Sequence, residues 1–452
     1  MSADHRSRPW AWVGLAAGCG LLLMCACLAA VGSGALLVWR DGLPVGGLRP
    51  AAVNRIAYQG NDGNIRIVAP DGSDDRPVTT DGDGSEQSER FYMLPTWSPD
   101  SRQIAYVRVA QGASDPEATL QATNLATGTV ESLHSATGVS PFYLFWSPDS
   151  RSIAFLEATD ETIALRLSTL GATQSQELGQ GSPYYFDWSP DSRELAYHIG
   201  GVRRSSPTAR VGRRALDASG ERSVSEDPAF FLSPDWSPDG RTLLFARRAA
   251  EGGEVMALDT GSSGAARTLL PFTGAVSFAW APRGDRIGYI VTERPEVAGL
   301  GQIAFGRLML TDASGANLRT LADGEVLAFF WSPDGGQIAY LTLNRNIQGA
   351  APGPQTVVAQ DDEVWLRWNV ADVTTGQSRA LTTFVPSAAF ADLIPFFDQY
   401  ARSLQVWSPD SRSLVYGVDE GGQRDGVYVV DIAPGASPRR VAVGSLGVWS
   451  GR

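Results

Sequence analysis

The sequence has no lysine, and its only cysteines lie in one apolar stretch near the N-terminus. The 37 basic residues are therefore all arginine, which excludes both a Schiff-base lysine and the lysine of a phosphate-binding P-loop. The cysteines are Cys19, Cys25 and Cys27. Because no other cysteine follows, a disulfide scaffold and a cysteine-based metal site are excluded in the rest of the chain.

Histidine is also scarce, with only His5, His134 and His198. So few imidazoles leave little material for a histidine-rich metal site or a Ser-His-Asp triad. The formal net charge of −12 argues against a general nucleic-acid binder. The 49 glycines and 27 prolines indicate many turns. We therefore expect a turn-rich, acidic, all-β protein with no catalytic residues, no metal ligands and no cofactor.

The N-terminal region contains a long uncharged run at residues 10–39. A membrane-spanning helix needs about 20 apolar residues, whereas the core of a cleaved signal has about 7–15. The run predicts a transmembrane signal anchor at 10–39, between a cytoplasmic tail at 1–9 and a linker at 40–50. Arg6 and Arg8 precede it, which favours an extracytoplasmic position for the rest of the chain. Cleavage, or lipidation at Cys19, is the alternative.

A tryptophan motif repeats along the remainder of the chain. Trp-Ser-Pro-Asp occurs six times, a degenerate copy begins at Trp280, and an incomplete one begins at Trp449. The six full copies begin at Trp97, Trp146, Trp188, Trp236, Trp331 and Trp407. After each of the first seven tryptophans, an aliphatic residue follows at the seventh position and an aromatic residue at the ninth. This spacing predicts a strand that ends at tryptophan, a tight turn, and a second strand with both large side chains on one face.

Two further strands follow each such pair, so each repeat is predicted to be a four-stranded antiparallel meander. The Trp-Ser-Pro-Asp turns and the Ile-Ala-Tyr/Phe strands after them resemble the TolB-type, WD-like β-propeller repeat family, over roughly residues 51–452. That resemblance implies a β-propeller that binds a partner. Related propellers cover the active site of prolyl-oligopeptidase-type hydrolases, but the repeats contain no Gly-x-Ser-x-Gly nucleophile elbow.

The two ends of the repeat region complement each other. Residues 55–58 have the pattern of a second strand with no tryptophan strand before it, and residues 444–449 have the pattern of a tryptophan strand. We therefore expect the C-terminal strand to be the innermost strand of the first blade and to close an eight-bladed propeller over residues 51–452. Seven blades with an unpaired tail is the alternative, and it leaves two sheet edges incomplete.

The long connections are predicted to lie on one face of this propeller, opposite the Ser-Pro-Asp turns. Binding sites commonly lie in such loops, so this face is expected to bind an envelope protein or an anionic ligand. Five arginines of adjacent blades form a predicted basic sector there: Arg203, Arg204, Arg210, Arg247 and Arg248. The guanidinium fork suits carboxylate or phosphate groups. The alternative is that these arginines pair with nearby acids, such as Glu221, Glu226 and Asp227.

The longest departure from the repeat is the apolar segment 384–402, which contains Phe390, Phe396, Phe397 and Tyr400. If these side chains are exposed, they mark a contact with a partner or a membrane. The alternative is a short helix that packs over the neighbouring blade or plugs the central channel.

Two other groups of residues are interpreted as structural. His198 falls where the other repeats carry mostly aliphatic residues, which predicts a semi-buried strand position. The aspartates of the Trp-Ser-Pro-Asp motif recur in every full copy, so they are predicted to be turn residues and not a catalytic carboxylate pair.

Together these features predict a single-pass membrane protein whose β-propeller is a protein- or ligand-binding scaffold of a bacterial cell envelope. It is not expected to bind nucleic acid or to be an enzyme. A polysaccharide-active or metal-dependent propeller hydrolase or lyase is the alternative function.

Overall fold

The computed structural model describes residues 54–84, 89–111, 115–158, 162–200, 209–217, 220–229, 232–262, 265–292, 306–344, 364–421 and 424–451. Within these ranges the chain forms 29 strands, and its helices are confined to one insertion. The strands form six sheets, mostly of four strands, in which neighbours pair antiparallel. This all-β architecture is consistent with the predicted propeller.

From residue 54 onward, the described part of the chain first forms three strands and then four sheets of four strands each. The first strands are β1 (Ile56–Gly60), β2 (Ile65–Val68) and β3 (Arg76–Pro77). The Trp97 sheet contains β4 (Arg90–Trp97), β5 (Gln103–Ala110), β6 (Glu117–Asn124) and β7 (Val130–Thr137). The Trp146 sheet contains β8 (Pro141–Trp146), β9 (Ser152–Ala158), β10 (Ile163–Thr169) and β11 (Gln176–Gly181).

The next two sheets repeat this order. The Trp188 sheet contains β12 (Tyr184–Trp188), β13 (Glu194–Ile199), β14 (Arg210–Ala215) and β15 (Glu221–Ser225). The Trp236 sheet contains β16 (Asp235–Trp236), β17 (Thr242–Arg248), β18 (Gly253–Asp259) and β19 (Arg267–Phe272). In each sheet the strands pair in chain order, so each repeat is the predicted meander.

Two larger sheets arise because one long strand serves two successive repeats. The seven-stranded sheet contains β20 (Ala275–Trp280), β21 (Arg286–Thr292), β22 (Gly306–Asp312), β23 (Arg319–Trp331), β24 (Gln337–Leu343), β25 (Leu366–Asp372) and β26 (Ser378–Phe384). The six-stranded sheet contains β27 (Ser413–Asp419), β28 (Asp425–Asp431) and β29 (Arg439–Trp449), followed by β1, β2 and β3. The shared strands are β23 and β29.

The pairing predicted between the two ends of the repeat region is present. Strand β29 runs antiparallel to β1, with Ile56 opposite Trp449 and Gln59 opposite Leu446. The Trp449 side chain is 1% exposed. The C-terminal tryptophan strand is therefore part of the same sheet as the first strand.

Burial decreases from the second strand of a sheet to its outermost strand. In β5 six of the eight residues are buried, whereas in β7 only Leu133 is buried. An outermost strand has no sheet beyond it, so one side of it faces water. The apolar core therefore lies between neighbouring sheets near the centre of the molecule.

Five of the repeat tryptophans donate a hydrogen bond to the preceding repeat. The indole Nε1 of Trp146 donates to the carbonyl oxygen of Thr96, the residue before Trp97, at 3.3 Å. Trp188 and Trp407 make the equivalent bonds to Phe145 and Phe330, each at 3.0 Å. In these repeats the tryptophan N–H group therefore has a structural partner as well as an apolar ring to bury.

The Ser-Pro-Asp aspartates are turn residues, as the sequence predicts. In the turn after Trp146, the Ser147 hydroxyl donates to Asp149 Oδ1 at 2.6 Å, and the same carboxylate accepts from the backbone N–H of Arg151. All six full copies have this serine–aspartate hydrogen bond. We call the side of the ring that carries these turns the Trp-turn face, and the opposite side the loop face.

No described helix is long and apolar enough to cross a membrane. The predicted tail, anchor and linker at 1–9, 10–39 and 40–50 lie outside the described residues.

Candidate functional site

The described arginines of the predicted basic sector each have a carboxylate partner. Arg210 Nε lies 3.5 Å from Glu221 Oε1, and Arg247 Nη2 lies 2.6 Å from Glu254 Oε2. Arg248 Nε lies 3.0 Å from Asp227 Oδ1. The partners of Arg210 and Arg248 are among the acids that the alternative interpretation of the sequence names. All three ion pairs offset the positive charge that would otherwise be available to an anionic partner. Arg203 and Arg204 lie outside the described residues.

The aromatic insertion does not present the exposed patch that one interpretation of the sequence requires. Phe390 and Phe397 are each only 4% exposed. Phe397 packs edge-to-face against Phe329, with ring centroids 5.4 Å apart, and Phe390 packs against Trp368. The patch interpretation is wrong for these two residues, because the centre of the ring offers them an apolar environment. Phe396 and Tyr400 are half-buried.

The insertion instead lies in the middle of the ring. It forms α1 (Ala388–Ala391), a 3-10 turn (Ile394–Phe396) and α2 (Phe397–Ser403), which we call the helical insertion. The Ser387 side chain caps α1 by accepting from the backbone N–H of Phe390. Pro395 within the 3-10 turn separates the two helices. The short helices therefore follow from a serine cap and a proline break.

Strands from several sheets hold the helical insertion. The Tyr143 hydroxyl of β8 donates to the carbonyl oxygen of Gln399 at 3.1 Å, and the Thr96 hydroxyl of β4 donates to that of Ser403 at 3.0 Å. Tyr143 also packs edge-to-face on Tyr400 at 5.1 Å. Because α2 contacts strands from different sheets, it plugs the central channel, as the alternative interpretation predicts.

A buried ionic cluster joins α2 to two inner strands. Arg402 Nη1 lies 2.9 Å from Asp187 Oδ2, and Arg402 Nη2 lies 3.3 Å from Asp235 Oδ1. Arg402 also donates to the carbonyl oxygen of Pro234 at 2.6 Å. A third carboxylate, Asp398, accepts from the backbone N–H of Ser233 at 3.0 Å. One guanidinium thus lies among three carboxylates, all of them buried.

Asp187 and Asp235 also accept hydrogen bonds from the next repeat, in place of the bond that the indole N–H donates in other repeats. Asp187 Oδ2 accepts from the backbone N–H of Trp236 at 3.0 Å, and Asp235 Oδ2 accepts from that of Trp280 at 2.6 Å. The indole Nε1 atoms of Trp236 and Trp280 have no partner among the described residues. In this sector the aspartate side chain makes the contact between sheets that indole N–H groups make elsewhere.

Burial, together with the neighbouring carboxylates, raises the pKa values of the three aspartates in this cluster. Burial raises the pKa of Asp235 to about 7, although the Arg402 charge opposes the shift and the charge of Asp187 adds to it. Burial also raises the pKa of Asp187 and that of Asp398, again against the effect of Arg402. An aspartate with a pKa near neutrality that lines a cavity is a candidate functional group.

The cluster forms the floor of a cavity on the Trp-turn face, which we call the vestibule. Its volume is about 460 Å³, and α2 contributes Asp398, Ala401 and Arg402 to its lining. Its walls are formed by five repeat tryptophans and by the prolines of the turns: Trp188, Trp236, Trp280, Trp331, Trp407, Pro148, Pro190, Pro238, Pro282 and Pro333. A preformed cavity with apolar walls and a few convergent polar groups is typical of a ligand site.

The sequence contains a signal for this site that the motif alone does not show. The residue before the repeat tryptophan is aspartate in two adjacent repeats, Asp187 and Asp235. In the other repeats that residue is Thr96, Phe145, Ala279, Phe330, Val406 or Val448. A comparison of this one position across the repeats points to an acidic sector. It does not reveal Arg402 and Asp398, because they belong to the insertion.

The two described histidines have structural environments. His198 is 1% exposed, and its Nδ1 lies 2.8 Å from the carbonyl oxygen of Leu232. Burial lowers the pKa of His198 to about 4, so the ring stays neutral. The prediction of a strand position is confirmed, with deeper burial than expected.

His134 lies in a hydrogen-bonded series with Ser175 and Glu157. Its Nδ1 is 2.8 Å from Ser175 Oγ, and its Nε2 bonds Glu157 Oε2. Glu157 Oε1 accepts from Arg166 Nε at 2.8 Å. Burial alone would raise the pKa of Glu157, but His134 and Arg166 hold it below its usual value. The arginine on the second carboxylate oxygen makes this cluster an ion-pair network between two sheets.

Across the described ranges, no group of three or more histidine, cysteine, aspartate or glutamate side chains is arranged to hold a metal ion.

Several solved structures resemble this chain at low sequence identity. TolB from Acinetobacter baumannii is 19% identical with a TM-score of 0.35, over 58% of this chain and 62% of that one. An oligogalacturonate lyase in complex with manganese is 17% identical with a TM-score of 0.48, over 75% and 85% of the two chains. A eukaryotic initiation factor is 11% identical with a TM-score of 0.50, over 88% and 98%. Such similarities concern the fold alone.

Comparison with curated protein sequences finds no match. A family model described as the TolB beta propeller domain matches residues 62–303. This match covers more than half of the chain and includes the Trp97, Trp146, Trp188 and Trp236 sheets. The chain therefore belongs to the TolB beta propeller family.

Proposed function

We propose that the protein is a membrane-anchored, extracytoplasmic binding scaffold of a bacterial cell envelope. The long uncharged run at residues 10–39 and the arginines before it support the anchor and its orientation. Membership of the TolB beta propeller family supports a binding role. The partner is an envelope protein that binds the propeller outside the cytoplasm.

An eight-bladed ring is part of this proposal. Strands β23 and β29 each serve two four-stranded repeats, so the two larger sheets divide into four repeats. In one of these the first strand is reduced to a bridge between Trp407 and Leu414. Together with the four sheets of four strands, this division supports eight blades.

The observation that carries the proposal is the vestibule. It is concave, its walls are indole and proline rings, and its floor is fixed by hydrogen bonds from α2 to strands β4 and β8 and to the segment before β16. A site held in this way needs little reorganisation when a partner binds, and less entropy is then lost. The basic sector on the loop face remains a second proposed surface, for an anionic partner.

Site-specific photo-crosslinking in the native host tests which face binds. Benzoylphenylalanine replaces Pro238, which is exposed at the vestibule, or Glu251, which is exposed on the loop face. We expect a discrete crosslinked protein from position 238. A crosslinked product only from position 251 would indicate that the binding site lies on the loop face. The absence of a product from both positions would contradict a protein-binding scaffold.

A polysaccharide-active hydrolase or lyase is the second candidate function. The observation in its favour is Asp235, an acid with a pKa of about 7 in a cavity lined with tryptophan. A general acid in glycoside hydrolysis needs a raised pKa of this kind. Incubation with acidic and neutral oligosaccharides tests this candidate. The control is the Asp235→Asn variant, in which any cleavage by the wild type should be lost.

A further inference from the structure

His134 is the centre of a hydrogen-bonded series that joins two neighbouring sheets. It lies on β7, the outermost strand of the Trp97 sheet, whereas Glu157 on β9 and Ser175, just before β11, belong to the Trp146 sheet. His134 Nδ1 is 2.8 Å from Ser175 Oγ, and Nε2 bonds Glu157 Oε2. A hydroxyl, an imidazole and a carboxylate are therefore connected in that order.

The charge of Glu157 determines which nitrogen of His134 carries the hydrogen. Burial alone would raise the pKa of Glu157, but His134 and Arg166 hold it below its usual value, so the group is a carboxylate at neutral pH. An ionised carboxylate only accepts hydrogen bonds, so His134 Nε2 carries the hydrogen and donates it. In the neutral ring Nδ1 is then an acceptor, and the Ser175 hydroxyl donates to it.

Packing fixes the imidazole and leaves the hydroxyl near the surface. Glu157 is 3% exposed, and the rings of His134 and Phe155 are in contact, with centroids 5.1 Å apart. Ser175 is half-buried between the exposed Gln174 and Gln176. A serine that donates to an imidazole, which is itself oriented by a carboxylate, has the arrangement of an activated nucleophile.

We propose that Ser175 is a nucleophile that accepts acyl groups from small esters, with His134 as its general base and Glu157 as the residue that positions the imidazole. The exposed residues on both sides of Ser175 favour small esters with a good leaving group, because few neighbouring side chains can hold a larger substrate. This activity goes beyond the proposed binding function and does not involve the vestibule.

The reaction needs only the ester and water. Ser175 Oγ forms a bond to the carbonyl carbon of the ester while its proton passes to His134 Nδ1. The bond from that carbon to the leaving alcohol oxygen then breaks, and the alcohol takes the proton. Water attacks the acyl-serine, His134 Nδ1 accepts a proton from the water and returns it to Ser175 Oγ, and the carboxylic acid leaves. General-base catalysis of this kind contributes about 10²- to 10⁴-fold in rate.

Labelling of the full-length protein with a fluorophosphonate probe tests the inference. The probe phosphonylates an activated serine by the same attack, and mass spectrometry of peptides locates the label. We expect label on Ser175, at a rate at least about 100-fold lower in His134→Gln. Glutamine retains an N–H group for Glu157 but has no basic nitrogen. Hydrolysis of 4-nitrophenyl acetate should be lost in Ser175→Ala.

Ser152 provides the matched control. It is also half-buried in the Trp146 sheet, but its hydroxyl bonds Thr169 Oγ1, at 2.9 Å, and not an imidazole. Ser152→Ala should therefore leave both the labelling rate and the hydrolysis rate unchanged.

The positioning role of Glu157 has a spectroscopic readout. In ¹⁵N NMR of histidine-labelled protein, we expect neutral His134 to carry its hydrogen on Nε2. Glu157→Gln should increase the fraction with the hydrogen on Nδ1 and should slow the labelling of Ser175. Loss of folding stability alone would not change the tautomer in this way.

Absence of label at Ser175, or an equal labelling rate in His134→Gln, would overturn the inference. So would unchanged hydrolysis of 4-nitrophenyl acetate in Ser175→Ala, a variant that keeps the test decisive if His134→Gln does not fold. The proposed function is tested separately by the crosslink at position 238. A crosslink without label at Ser175 would leave the binding scaffold in place and would reject only the reactive serine.

Discussion

Asp235 occupies a position that is apolar or small in most of the other repeats, and its burial couples folding to pH. In unfolded chains the pKa of aspartate is about 3.9, whereas in the folded protein that of Asp235 is about 7. Between these values the folded state binds more protons than the unfolded state. The contribution of Asp235 to the free energy of unfolding therefore decreases as pH rises through this window.

Replacement of Asp235 by asparagine should remove this coupling. We expect the free energy of unfolding to fall less between about pH 5 and about pH 8 in Asp235→Asn than in the wild type, because no proton is released at this site. Urea denaturation at several pH values measures the difference. The exposed Asp285→Asn is the control and should retain the wild-type slope. Identical slopes in Asp235→Asn and the wild type would contradict the buried cluster.

The last residue of the repeat turn is serine in some sheets and glycine in others, and only serine can form a hydrogen bond to the preceding turn. Ser192 has a positive φ of 63°, and its hydroxyl accepts from the backbone N–H of Asp149 in the preceding turn at 3.0 Å. Ser150 and Ser411 make the same contact. Gly240 occupies this position in the next turn, with φ 71°, and has no side chain to make it. At Ser150, Ser192 and Ser411 this hydrogen bond between turns offsets part of the free-energy cost of the left-handed backbone, whereas Ser101, with φ 59°, has no partner for its hydroxyl among the described residues.

This account predicts an order of stabilities at position 192. Ser192→Ala loses the hydrogen bond but keeps the backbone strain, so we expect it to be about 1 kcal/mol less stable than the wild type. Ser192→Gly loses the bond but relieves the strain, so it should lie closer to the wild type. Equilibrium denaturation of the two variants measures the order. A glycine variant less stable than the alanine variant would refute this explanation.

At the scale of elements, β29 connects the two ends of the propeller. It pairs with β28 through its first half and with β1 through its second half. Trp97 Nε1 also donates to the carbonyl oxygen of Val448 at 3.2 Å. Loss of the second half therefore exposes β1 and removes the acceptor for a repeat tryptophan.

Deletion of residues 444–452 should destabilise the whole propeller. Removal of a buried tryptophan alone costs about 3–5 kcal/mol, and here a strand pairing is lost as well. We expect a large drop in the melting temperature, measured by calorimetry on the full chain and on the truncated chain. A truncated protein with an unchanged melting temperature would show that the C-terminal strand does not close the ring.

The spacing of the repeat is what makes the regular elements predictable. Each interval from tryptophan to the next large side chains defines a strand, a turn and a strand, and the complementary ends predict the pairing of β1 with β29. The helical insertion interrupts this spacing, so no periodic signal determines where it packs. Phe390 and Phe397 consequently give the same sequence pattern whether they are exposed or buried.

The ionic cluster was unpredictable for a related reason. Asp187 and Asp235 lie in adjacent repeats, but Arg402 reaches them only because α2 enters the central channel. The contact depends on a packing arrangement that neither segment specifies alone. The residue before the repeat tryptophan indicates an acidic sector, whereas its counter-charge requires the structure.

At the scale of the whole molecule, the proposed anchor determines where the propeller acts. Residues 1–39 should be sufficient to hold a soluble reporter in the inner membrane, with the reporter outside the cytoplasm. Fractionation of cells and protease treatment of spheroplasts measure these two properties. A soluble full-length protein would contradict the anchor, and a protease-protected reporter in intact spheroplasts would contradict the orientation.

The central claim is that the vestibule on the Trp-turn face is the binding site. Its most direct test is the yield of crosslinked protein from benzoylphenylalanine at position 238 when the vestibule is filled by Ala401→Phe. The matched control is Ala250→Phe, which adds the same ring to an exposed position on the loop face. We predict at least about a 10-fold loss of crosslinked product in Ala401→Phe, with an unchanged melting temperature and normal yield in the control. A crosslinking yield in Ala401→Phe equal to that of the wild type would contradict the claim.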